Sequence, residues 1–120
     1  MTTPSAPVVV GLNAEQFASI FPFHVVFDQS LCVVQYGRSL QRVVPAIDVG
    51  VSLASLLTLH RPTGGLSFQS VCAATDLLYI AEHAASGLLL RGQMLPLPGD
   101  RPLVAFLCTP WIEGPDTLDA

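Results

Sequence analysis

The sequence predicts an α+β fold, in which one antiparallel sheet of five strands carries a helical insert and follows an N-terminal capping helix. Two observations support this. A capped amphipathic segment comes first, and two strand-like segments are separated from three more by a stretch of short helical signals. The strand-like segments are rich in β-branched, aromatic and aliphatic residues and are bounded by turn residues. The five predicted strands are Phe23–Phe27, Leu31–Tyr36, Leu77–Ala81, Gly87–Leu97 and Leu103–Thr109.

The first helix is marked at both of its ends. Asn13 can cap the first turn, and Gln16, three residues later, can complete a capping box. Pro22 disfavours the helical conformation of the residue before it, so the helix is expected to end near position 21. Between these ends, apolar side chains follow the i, i+3, i+4 spacing of one helix face. These are Phe17, Ile20 and Phe21.

Short helical segments are predicted between the second and third strands. Ser39 can cap a helix over Leu40–Val44, and Ser52–Leu57 is typical of a further helical turn or two. His60–Gly65 is predicted to be a loop, and Ser67 can cap a longer helix after it. We expect this insert to cover one face of the sheet.

Length and composition favour a single domain that has a partner. The chain has 120 residues, of which 51% are hydrophobic, enough for one core without disulfides. Only 12% are charged, against about 25% in an average soluble domain, so some apolar surface should stay exposed for a contact. We expect a disordered lead over residues 1–11, the domain over 12–112, and a tail over 113–120 toward a missing output segment.

The net charge and the cysteine pattern limit the classes of ligand that the chain can bind and indicate its cellular compartment. The net charge is −4 and the five basic residues are scattered arginines, so nucleic acid and anionic lipid are not expected as ligands. No apolar run is long enough for a transmembrane helix, so no membrane is expected. Cys32, Cys72 and Cys108 lack CxxC spacing and are predicted to be buried thiols in a reducing cytoplasm.

Catalytic and metal-binding patterns are not found in the sequence. No Gly-x-Ser-x-Gly motif occurs, and Gly64-Gly65 lacks the lysine of a phosphate-binding loop, so we expect no enzyme activity. His24 is predicted to be a core or half-buried residue whose ring bonds to nearby backbone, whereas His60 and His83 are expected to be ordinary loop residues. We therefore expect no metal and no cofactor.

Several segments together resemble one family. They are Phe21–Asp28 (FPFHVVFD), Gly37–Leu40 (GRSL), Arg61-Pro62, Leu90–Met94 (LRGQM) and Phe106–Trp111 (FLCTPW). In this order they are similar to the H-NOX-associated PAS domain, the HNOBA family, which occurs in soluble guanylate cyclases and bacterial signalling proteins.

The resemblance implies a PAS-like fold and a non-catalytic role. Such domains pair as homodimers or heterodimers and relay a signal from a haem nitric-oxide sensor domain (H-NOX) to an output domain such as a kinase, nucleotide cyclase or diguanylate cyclase. The sequence contains neither the haem domain nor a coiled coil, so we expect it to be part of a longer protein in nitric oxide signalling.

Four residues are candidates for the dimer interface: Phe17, Ile20, Phe21 and Trp111. Buried aromatic side chains are frequent anchors of interfaces. Two alternatives stay open, because the helix stripe can instead cover the chain's own sheet and the indole of Trp111 can instead lie in the core.

A second functional hypothesis is a small-molecule sensor with a pocket between the sheet and the helices. Such a pocket would be lined by Leu53, Leu56, Phe68, Leu90 and Met94. The same side chains could equally fill the core.

Overall fold

Residues 11–111 are described by the computed structural model, and they form one antiparallel sheet with short helices around it. In chain order the elements are α1 (Ala14–Ile20), β1 (His24–Asp28), β2 (Val33–Tyr36), α2 (Arg38–Val43), a 3-10 helix (Leu53–Ser55), β3 (Leu57–Arg61), α3 (Phe68–Ala73), β4 (Tyr79–His83), β5 (Leu89–Leu97) and β6 (Leu103–Pro110). The strand order is β2-β1-β6-β5-β4-β3, and every neighbouring pair is antiparallel. The predicted α+β class with an antiparallel sheet is confirmed. The predictions for residues 1–10 and 112–120 lie outside the described residues.

The described sheet has six strands, so the prediction of five was wrong. The additional strand is β3, which lies where the end of a helical turn and the start of a loop were expected. Leu57 and Leu59 alternate with Thr58 and His60, which is the two-residue period of a strand, and the segment pairs with β4. Only Leu53–Ser55 takes up the predicted helical turn.

Helix α1 begins with the predicted capping box. The Asn13 Oδ1 accepts a hydrogen bond from the Gln16 N–H at 2.7 Å, and the Gln16 Oε1 accepts one from the Asn13 N–H at 3.0 Å. The last helical bond runs from the Phe21 N–H to the Phe17 carbonyl at 2.8 Å, directly before Pro22. Both predicted ends of this helix are therefore confirmed to within a residue.

The helical insert matches the sequence pattern only in part. Ser67 caps α3, because its Oγ accepts a hydrogen bond from the Ser70 N–H at 3.1 Å. Helix α2 begins earlier than predicted, with Gly37 at the N-cap and Ser39 inside the helix, so the prediction that Ser39 is the cap was wrong. The Gln41 N–H already donates to the Gly37 carbonyl at 3.2 Å and the Leu40 N–H to the Pro22 carbonyl at 3.2 Å, so the first helical turn starts at Gly37.

The core lies between the inner face of the sheet and the helical insert. Its largest fully buried side chains are Tyr79, Phe27, Phe106, Leu40 and Leu53. The residues of the hypothetical sensor pocket also belong to this region. Leu53, Leu56, Leu90 and Met94 are buried members of the core cluster, and Phe68 packs against it. Their positions favour the interpretation that these side chains fill the core.

The three cysteines differ in burial. Cys108 is buried, and burial raises the pKa of its thiol to about 12, as predicted for a buried thiol. Cys32 is partly buried, whereas Cys72 is exposed. The prediction was wrong for Cys72, because α3 turns its neighbour Val71 into the core and leaves Cys72 toward solvent.

Candidate functional site: helix α1 on the outer face of the sheet

Helix α1 lies on the face of the sheet opposite the core. In β1, Val25 and Phe27 point into the core, so His24 and Val26 alternate onto the other face, which we call the outer face. The ring of Phe17 meets the His24 ring edge-on, with the centroids 4.8 Å apart. Side chains of α1 therefore cover part of β1 on the outer face.

His24 connects α1 to the sheet. Its side chain is fully buried, with the ring Nδ1 2.7 Å from the Phe21 carbonyl oxygen and the ring Nε2 2.9 Å from the Gln35 Nε2. A carbonyl can only accept, so Nδ1 carries the proton and Nε2 accepts from the Gln35 amide. Burial lowers the pKa of His24, and the hydrogen bond to Phe21 opposes this only in part. The imidazole is therefore neutral. The predicted bond from the ring to nearby backbone is confirmed, but the ring is buried under α1 on the outer face and not in the main core.

The role of Gln35 was not foreseen from the sequence. It lies on β2, and β1 pairs with β2 so that Val26 faces Gln35. Only this strand register brings the amide to the His24 ring. No local sequence signal indicates the contact.

The predicted apolar stripe of α1 is divided by the structure. The rings of Phe17 and Phe21 contact each other at a tilt of 40°, with centroids 4.9 Å apart, and both side chains are partly buried. Ile20 points outward and is 57% exposed, and Leu12, just before the helix, is also exposed. None of the helix residues is fully buried. The helix therefore carries a larger apolar surface than the domain itself covers.

A groove of about 420 Å³ lies between the start of α1 and the outer face. The helix side is formed by residues 12–14 and Phe17, and the sheet side includes Val26, Leu97 and Leu103. At one end, Arg101 donates a hydrogen bond to the Asp28 carboxylate at 3.3 Å. The apolar surface on this side of the sheet thus continues past the helix.

Trp111 lies apart from the three predicted interface residues of the α1 region, Phe17, Ile20 and Phe21. It is partly buried, so it is not a core indole, and its ring lies 5.5 Å below the Arg91 guanidinium carbon. The groove that it lines contains no residue of α1. Of the four predicted interface residues, three lie together at α1 and the fourth is placed separately.

The other histidines make side-chain contacts of their own. His60 lies in β3, so the prediction of a loop position was wrong, and its Nε2 is 2.6 Å from the Glu82 carboxylate. His83 is buried at the end of β4, so the loop prediction was wrong for it as well, and its Nδ1 lies 2.7 Å from the Ser86 hydroxyl. Within residues 11–111, no three His, Cys, Asp or Glu side chains come close enough to hold a metal ion. None of the helices described is long and apolar enough to span a membrane.

Of the motif segments identified in the sequence, Phe21–Asp28 contributes directly to the contact between α1 and the sheet, through His24. The Heme NO binding associated family model matches residues 10–86, well over half of the chain. The chain belongs to this family. The segment Phe21–Asp28 follows α1 directly and contains His24 and strand β1. The segment Gly37–Leu40 forms the start of α2, where the Leu40 N–H donates to the Pro22 carbonyl.

Curated relatives of the chain are guanylate cyclases. It is 28% identical to the guanylate cyclase soluble subunit beta-2 of Rattus norvegicus, over 97% of this chain, and 24% identical to that of Homo sapiens over the same share. It is 25% identical to the head-specific guanylate cyclase of Drosophila melanogaster, over 89% of this chain. The chain spans only 18–20% of the length of these relatives, about one fifth.

Proposed function

We propose that this family member is a non-catalytic, PAS-like module that pairs with a second protomer and relays a signal between a haem nitric-oxide sensor domain and an output domain. The cyclase activity of the relatives would then belong to another part of a longer protein, in keeping with the small share of their length that the chain spans. A cytoplasmic location is part of the proposal.

The PAS-like assignment is supported by the arrangement of the elements. After α1 come the two strands β1 and β2, and then the helical insert. The strands β4, β5 and β6 complete the sheet, in which β6 lies next to β1. The insert covers the inner face and α1 lies on the outer face. The edge strand β3 is an addition to the five-strand arrangement expected from the resemblance.

The observation that carries the pairing proposal is the incomplete burial of α1. This seven-residue helix has no fully buried residue, although its Phe17 ring contacts the His24 ring. Ile20 at 57% exposed and Leu12 at 41% exposed are free to enter a second surface. Contacts made by one surface with its own copy give a twofold-symmetric dimer, the commonest arrangement, and the same surface would serve a related partner in a heterodimer.

The test is Ile20→Asp, followed by sedimentation velocity across micromolar concentrations. If Ile20 enters the interface, the variant buries an unpaired carboxylate and its dimer should weaken by at least about a hundredfold, giving a folded monomer. Ser19→Asp is the matched control, because Ser19 is an exposed neighbour on the same helix and receives the same charge. It should remain as dimeric as the unchanged chain.

Two other outcomes would contradict the proposal. A variant that remains a folded dimer would place the interface elsewhere. Loss of the folded state in Ile20→Asp, with Ser19→Asp intact, would show that the stripe stabilises the domain's own core.

A further inference from the structure

A second groove lies on the outer face, over β3, β4 and β5. Its volume is about 680 Å³ and it is open to solvent on one side. We call it the arginine groove, after Arg61 and Arg91. The residues that line it include these two arginines together with Ile80, Glu82, Leu89 and Trp111.

The strand register arranges these residues in two rows across the sheet. In the first row, Arg61 pairs with Ile80, and Ile80 pairs with Arg91. Directly paired residues share one face, so the two arginines flank the isoleucine, with their Cα atoms about 10 Å apart at two strand spacings. In the second row, Glu82 pairs with Leu89, and the Trp111 N–H donates to the Leu89 carbonyl at 2.7 Å.

The first row places two positive charges on the outer face of the sheet. Within residues 11–111, Glu82 contacts His60 and Asp28 contacts Arg101, and no carboxylate of this range lies within ion-pair distance of Arg61 or Arg91. The Arg91 guanidinium lies over the Trp111 ring at 5.5 Å, which orients it without neutralising it. The one carboxylate in the groove, Glu82, is held by His60 at 2.6 Å.

The exposed apolar side chain of the groove is Leu78, at its rim, which is 53% exposed. Ile80, which the strand register places between the two arginines, is only 7% exposed. Exposed apolar surface beside two cations is best covered by a ligand that supplies both an apolar group and two anions. Since the groove is open across three strands, a polypeptide segment fits it better than an enclosed small molecule would.

We propose that the arginine groove binds an extended segment of a partner protein with the pattern Glu-x-Leu-x-Glu. In an extended chain, residues i, i+2 and i+4 share one face, and the outer two lie about 13 Å apart. Laid across the strands, such a segment places its apolar side chain between the two arginines and beside the exposed Leu78. Its two carboxylates then lie against Arg61 and Arg91, where each can form a paired hydrogen bond with a guanidinium. This binding does not depend on dimerisation through α1.

The test uses the chain's only tryptophan as the reporter, because Trp111 lines the groove. The probe is the acetylated and amidated pentapeptide Glu-Ser-Leu-Ser-Glu, titrated while Trp111 fluorescence is recorded. We expect a saturable change, with affinity that falls as salt is added. The glutamine version, Gln-Ser-Leu-Ser-Gln, should bind at least about tenfold more weakly, since charge-assisted hydrogen bonds are lost.

Variants locate the binding on the protein. Arg61→Gln and Arg91→Gln should each weaken the acidic peptide by about tenfold, compared as dissociation constants because the second change also alters the starting fluorescence. Arg38→Gln is the control, because Arg38 is an exposed arginine on α2, outside the groove. It should leave the affinity unchanged, and circular dichroism should show all three variants folded.

Three results would overturn the proposal. They are equal affinity for the acidic and the glutamine peptide, no saturation of either, and an equal loss with Arg38→Gln. If instead Trp111 fluorescence changes with protein concentration alone, and Arg91→Gln abolishes this change, the occupant is a second copy of the chain rather than a partner's segment.

Discussion

Replacing Gly37 with alanine is expected to destabilise the domain severely. A Cβ at this position would lie 2.1 Å from the Pro22 carbonyl oxygen, 2.6 Å from its carbon and 3.1 Å from the His24 Nδ1. The backbone φ of Gly37 is −86°, which any residue adopts, so the requirement for glycine is one of space and not of conformation. The Pro22 carbonyl has to move away if a methyl group is to fit.

The cost can be worked out from the contacts that would be disturbed. The Pro22 carbonyl accepts the Leu40 N–H at 3.2 Å, and the Gly37 N–H donates to the His24 carbonyl at 2.8 Å. Loss of these two hydrogen bonds costs about 1 kcal/mol each, and the overpacking adds about 1–3 kcal/mol. The lower entropy of the unfolded alanine chain returns only about 0.5–1 kcal/mol. The net destabilisation is therefore about 3 kcal/mol.

Thermal unfolding followed by circular dichroism measures this effect. A loss of about 3 kcal/mol should lower Tm by about 10–15 °C for a domain of this size. Gly11→Ala is the control, because a Cβ there meets no atom within 4 Å, and its Tm should stay within about 2 °C. If Gly37→Ala unfolds at the temperature of Gly11→Ala, the proposed contact between the start of α2 and the Pro22 carbonyl does not exist.

The remaining predictions concern ionisation and reactivity. Burial lowers the pKa of His24 below its ordinary value of 6.5, so the unfolded chain binds more protons than the folded one. The free energy of unfolding should therefore fall as pH drops through about 6.5. Chemical denaturation between pH 7.5 and 5.5 should show this pH dependence, and His24→Gln should reduce it. An unchanged slope in the variant would assign it to another group. Iodoacetamide should label exposed Cys72 in the folded protein but reach Cys108, whose thiol pKa is raised to about 12, only after unfolding. Equal labelling rates at the two positions would contradict the burial of Cys108.

The parts of the fold that local signals determine could be predicted from the sequence. The capping box at Asn13, the stop at Pro22 and the cap of α3 at Ser67 each depend on a few adjacent residues. Strand β3 was missed because its five residues lie between a helical turn and Pro62. The signals of these two neighbours obscured the short alternation of apolar and polar residues in Leu57–Arg61. An edge strand this short receives most of its stability from the neighbouring strand, which the sequence does not display.

The candidate sites show the same division. The stripe of Phe17, Ile20 and Phe21 was found by helical spacing, but its division into two packed rings and one exposed side chain depends on how α1 lies on the sheet. The row of Arg61, Ile80 and Arg91 joins positions that are far apart in sequence, so only the strand register brings it together. The sequence shows how many charged and apolar residues the chain has, but it does not show which of them the sheet places side by side.

The pairing of β1 with β6 has a mechanical consequence. Because these strands are antiparallel neighbours, the start of β1, where α1 is attached, lies beside the end of β6, where the Cys108 N–H donates to the Phe23 carbonyl at 3.0 Å. A tension between α1 and Trp111 would therefore pull on the same end of both strands. The ladder bonds would be loaded one after another, as in peeling, instead of all at once, as in shear. The two strands would separate from this end under a small force, while the far end at Asp28 and Leu103 stayed paired.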